Sequence, residues 1–144
     1  MKEPLVNAPL MLSPAHRARQ TLVDTLGLGF LVWLIGYAMG FFIITLPGYP
    51  DVMQRPPLLL IFALVGAAVT GGLAAWRFHA RRGLGWRYAW AIGASWLGVA
   101  VVCDFLFIVL LFHAWSYYRL DIAVYYAVTL VAPAVAAKLA SRAV

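Results

Sequence analysis

Residues 25–50, 56–76, 88–103 and 122–137 contain no Asp, Glu, Lys, Arg or His, and this spacing of charge decides which solvent the chain folds in. A helix at a protein–water boundary keeps a polar face. These runs keep none, and each approaches the roughly 20 residues that cross a bilayer's hydrocarbon core. The third run continues past Asp104 to His113. The chain is 65% hydrophobic and 11% charged, whereas a soluble domain is about a quarter charged. Four spans would consume about 80 residues of the 144 present, which leaves room for loops only. The expected fold is all-α: a polytopic, antiparallel bundle of four transmembrane helices forming one domain over residues 1–144.

The expected spans are residues 25–46, 58–76, 88–113 and 121–139. Pro47-Gly48-Tyr49-Pro50-Asp51 and Arg55-Pro56-Pro57 bound the first connector, because proline cannot continue a helix. Residues 1–12 carry dispersed prolines and no periodicity, and read as a flexible tail. Ser13-Pro14 has the chemistry of a helix start, a capping hydroxyl followed by a proline suited to the first helical position. Asp24 and Asp121 read as acids at the starts of the first and fourth spans, where the helix dipole favours them. No apolar leader precedes residue 24, so the first span is expected to act as the targeting signal.

Orientation follows from the bases. With the N-terminus inside, Lys2, Arg17, Arg19, Arg77, Arg81, Arg82, Arg87, Lys138 and Arg142 fall on the cytoplasmic side. Only Arg55 and Arg119 fall outside. Lys and Arg collect in cytoplasmic loops, so both termini are expected in the cytoplasm, with the plasma membrane (a bacterial inner membrane) as the location. Trp76, Trp86, Tyr88 and Trp90 near one boundary, and Trp115, Tyr117, Tyr118, Tyr125 and Tyr126 near the other, suit interfacial aromatic belts. The +6 net charge therefore reports topology, and nucleic acid is not expected as a partner. The basic segment Arg77, Arg81, Arg82, Trp86 and Arg87 is the candidate contact for anionic lipid headgroups, each base adding about 1 kcal/mol. Topology alone also accounts for it.

Apolar side chains gain little by leaving lipid for protein, so close approach of small residues must assemble the bundle. Gly29, Gly36 and Gly40 lie near one face of the first span. In the second, Gly66/Thr70, Ala67/Gly71 and Ala68/Gly72 cover adjacent faces, which predicts the most enclosed helix. Such faces serve packing within the chain, or else a dimer contact, a cargo path or contact with a larger complex.

Asp104 is the acid deepest in a span. An intramembrane charge usually faces the bundle interior, and α-helical geometry puts Asp104 on a stripe with Gly93, Leu97, Ala100, Ile108 and Leu111. At 1.5 Å per residue it lies about 13 Å below the outer end, level with Tyr37 and near Thr129 and Tyr125. These four residues form a candidate buried polar site. It would serve either as a lock on helix register or as a proton- or cation-linked site. The sequence holds no metal-ligand spacing around Cys103, no paired histidines within a span, and no phosphate loop or hydrolase motif. No catalytic residue, metal or cofactor is expected. The expected function is a non-enzymatic membrane subunit or scaffold; the alternative is a small oligomeric transporter or channel working through Asp104.

Overall fold

A computed structural model describes residues 14–44, 56–80, 85–115 and 120–142. Among them there is no strand. The helices are α1 (Pro14–Leu22), α2 (Leu28–Ile44), α3 (Pro56–Ala80), α4 (Trp86–Asp104) and α5 (Leu120–Arg142). Two π-helical segments interrupt them, Val23–Gly27 between α1 and α2, and Phe105–Leu110 after α4. Three stretches are long and apolar enough to cross a membrane: Ala15–Phe42, Trp86–Leu110 and Ile122–Arg142. Within α3 the apolar stretch Leu64–Phe78 is shorter. The tail over residues 1–12, and the connector carrying Pro47 and Arg55, lie outside the described residues.

Helix directions alternate. Trp96 of α4 meets Asp24 and Asp104 meets Trp33 of α2, so the first and third long helices run parallel at a nearly constant sequence offset. Tyr126 of α5 reaches Asp104 while Leu130 lies against Gly93, so α4 and α5 run antiparallel. In space α2 packs on α4, α4 on α5 and α5 on α3. The starts of α1 and α4 and the ends of α3 and α5 consequently share one end of the bundle.

Glycine sets the closest approaches. A methyl group at Gly93 would sit 2.1 Å from the Leu130 carbonyl oxygen, so α4 and α5 touch backbone to backbone there. Gly36 and Gly66 flank Tyr125 from α2 and α3. A Cβ would be 2.7 Å from the Tyr125 hydroxyl at Gly36 and 3.5 Å from its ring at Gly66. The phenol thus fills the gap between two helices that otherwise meet little. The core around it comprises Val32, Ala74, Phe78, Ala89, Ile92, Trp96, Ala136 and Ala137.

Enclosure of the second expected span is one-sided. Gly66, Thr70, Ala74 and Phe78 are buried at four-residue spacing, while Ala68, Gly72, Ala75 and Trp76 are exposed. A Cβ at Gly71 or Gly72 would meet nothing within 4 Å. Small side chains permit contact on every face, but a helix at the edge of the row is covered on one face only. The most enclosed of the three span-length helices is the one carrying α4.

Candidate functional site

Asp24 and Asp104, the buried carboxylates among the described residues, sit at π-helical segments. A π turn holds one residue more than an α turn, so the face a helix buries shifts by one position. After Asp104 the next buried residue is Val109, five positions on, while Ile108 is half-buried and Leu111 exposed. The same step separates Asp24 from Gly29 in the first helix. The stripe predicted for Asp104 accordingly holds up to that residue, through Gly93 and Ala100. It fails beyond it, because the helix is no longer α-periodic.

Asp104 is 3% exposed. The Trp33 indole N–H donates to its Oδ1 at 2.8 Å, and the Tyr126 hydroxyl donates to its Oδ2 at 2.5 Å. Three helices therefore converge on one carboxylate. Trp33 in turn stacks on Tyr37, with ring centroids 5.2 Å apart, and meets Phe30 and Phe107 on its other edges. Of the residues expected around Asp104, Tyr37 thus stands one ring away. Tyr125 donates its hydroxyl to the Val32 carbonyl at 3.1 Å. Thr129 donates to the Tyr125 carbonyl at 2.9 Å. Thr129 is fully buried, one turn before the buried Pro133, whose missing N–H leaves the Thr129 carbonyl without its helical donor.

The second carboxylate, Asp24, is fully buried. Reading it as a cap at the start of a span is incorrect: it lies inside a helical stretch that begins at Pro14. Its Oδ1 pairs with the Arg77 guanidinium, and its Oδ2 accepts the Tyr88 hydroxyl at 2.9 Å. The π turn adds a third tie. The Leu28 N–H bonds to the carbonyls of Val23 and Thr25, and the Asp24 carbonyl accepts the Trp96 indole N–H at 2.8 Å. The first helix, α3 and α4 are thereby joined at the end of the bundle where α3 stops.

This arrangement redistributes the basic segment. Arg77 turns inward to Asp24, with its side chain 18% exposed. Trp86 and Arg87 are exposed, and Trp86 makes an edge-on contact with Trp90 at 5.6 Å. Arg81 and Arg82 lie outside the described residues. Chemically, Asp24 closes an ion pair and Asp104 accepts from aromatic donors. Among the described residues no three His, Cys, Asp or Glu side chains group as metal ligands.

The sequence carries one signal for the Asp24 site. An acid and an arginine sit at the same boundary of two adjacent spans, with a tyrosine at the start of a third. No protein-family model matches the chain, and no curated protein or solved structure matches it either.

Proposed function

We propose that the chain is a four-span membrane protein with both termini in the cytoplasm, and that it serves as a non-enzymatic subunit or scaffold in the plasma membrane. The observation that carries this reading is the division of its small residues into two sets. Gly29, Gly36, Gly66 and Gly93 are consumed by contacts inside the bundle. Gly71 and Gly72, with the exposed Ala68 and Ala75, form an open face on α3. A small, flat face gives another helix close access in lipid. The buried acids fit the same role, since each ties three helices together and fixes their register.

The test is purification in mild detergent with mass spectrometry of the chains that co-purify. Gly72→Leu should release a second copy or a different subunit while leaving the bundle folded. A wild-type chain that stays monomeric and alone, in detergent and in bilayers, would overturn the proposal.

One observation favours transport instead. Asp104 lies at the edge of a π-helical segment, a feature that often marks functional positions, within a shell of aromatic rings. If it binds a proton or cation in transit, Asp104→Asn should abolish flux in vesicles while the protein still inserts. Flux unchanged by Asp104→Asn across pH removes that reading.

A further inference from the structure

Where α4 begins and α5 ends, a cleft of about 550 Å³ is lined by Gly85, Trp86, Ala137, Lys138 and Ser141. That volume falls in the range of small-ligand clefts, roughly 300–1,000 Å³. We infer that it holds the phosphate headgroup of an anionic phospholipid, an assignment that rests on the membrane reading above.

Among the described side chains, the charge around the cleft has one sign. Lys138 lines it, and Arg87 and Arg142 are exposed on the same helix ends. Asp24 and Asp104, the acids with described side chains, are buried within the bundle. A phosphodiester entering the cleft therefore meets the Lys138 cation and no described exposed carboxylate. The Ser141 hydroxyl donates to the Lys138 carbonyl at 2.8 Å. This leaves the ammonium of Lys138, on a flexible stem, as the group that reaches a phosphate. Trp86, exposed and braced edge-on by Trp90, suits the depth where indole rings sit between acyl chains and headgroups. Ala137, largely buried, provides the apolar wall of the cleft.

The contact residues differ from those expected of the basic segment. There the headgroup contacts began with Arg77, whose guanidinium is taken by Asp24. The cleft instead uses Lys138, far away in the chain and brought to Trp86 by the antiparallel packing of α4 and α5.

Native mass spectrometry of the full chain, titrated with phosphatidylglycerol, phosphatidylcholine or inorganic phosphate, tests the assignment. Phosphatidylglycerol should bind in preference to phosphatidylcholine, and Lys138→Gln should weaken it about fivefold, the effect of one base at the surface. Gly85→Leu should weaken it without changing charge. The backbone there (φ −71°, ψ 160°) is ordinary for any residue and a Cβ meets nothing within 4 Å, so the side chain fills the cleft and spares the fold. Arg142→Gln removes the same charge outside the cleft and should have little effect. Equal losses in Lys138→Gln and Arg142→Gln would mean diffuse surface attraction and overturn the site. So would equal binding of the two lipids, or inorganic phosphate displacing phosphatidylglycerol. Carbonate extraction of the same protein keeps the two claims apart: a chain that resists extraction but shows no lipid preference retains its membrane placement and loses only this site.

Discussion

Asn in place of Asp24 would leave the Arg77 guanidinium largely inside the protein with its ion-pair partner gone. Breaking a buried pair from one side costs about 3–5 kcal/mol, whereas removing both charges is often close to neutral. Asp24→Asn and Arg77→Gln should therefore each lower the thermal midpoint sharply in detergent, and the double variant should recover much of the loss. Additive losses would show that the pair is not the linking element. At Asp104 the stakes per bond are smaller. Tyr126→Phe removes one hydrogen bond to a carboxylate, worth about 1.5–3 kcal/mol, and should be milder than either single change at the ion pair. Residue identities foretold the inward placement of Asp104, because a lone acid in lipid has few other options. They did not foretell its donors. Trp33 and Tyr126 lie 71 and 22 residues away, and nothing in the local pattern singles out one indole among six tryptophans.

The helices themselves were legible as uninterrupted apolar runs, and their approximate extents follow from proline and charge. Their faces were less so. An α-periodic projection is right for α4 from Ala89 to Asp104 and wrong immediately after it, since the π segment Phe105–Leu110 shifts the register by a residue that no side chain announces. Charge alone puts the boundary of the first span at Thr25, just after Asp24. The helix continues through it because Arg77 and Tyr88 satisfy that charge. Helix contact gives a sharp prediction. Gly93→Ala puts a methyl group against the Leu130 carbonyl oxygen, a backbone atom that cannot rotate away. Overpacking typically costs 1–3 kcal/mol, and here α4 and α5 must separate along their whole contact. Loss of monodisperse elution is the expected outcome. Gly72→Ala, on the open face, should elute as the wild type does.

For the molecule as a whole, the alternation of helix directions brings Arg87, Lys138 and Arg142 to one end and His113 to the other. Single cysteines at Arg87 and at His113, in a Cys103→Ser background, should be labelled by a membrane-impermeant thiol reagent from opposite sides of sealed vesicles. Labelling of both from one side would contradict the four-span topology. His113 adopts φ 51°, the left-handed conformation that glycine takes at no steric cost. His113→Gly should thus be tolerated as a control for substitutions at that turn.

The order in which the ties can form is written into their spacing along the chain. Asp24 and Arg77 belong to the first two long helices, so a growing chain can neutralise both charges as a hairpin before α4 is made. Tyr88 and Trp96 emerge next and fasten that hairpin to the start of the third helix. Asp104 comes later still, when Trp33 is already in place to receive it, and Tyr126 closes the set last. Each polar group can thereby enter the bundle when an earlier segment is present to shelter it, starting from the end where Asp24 meets Arg77.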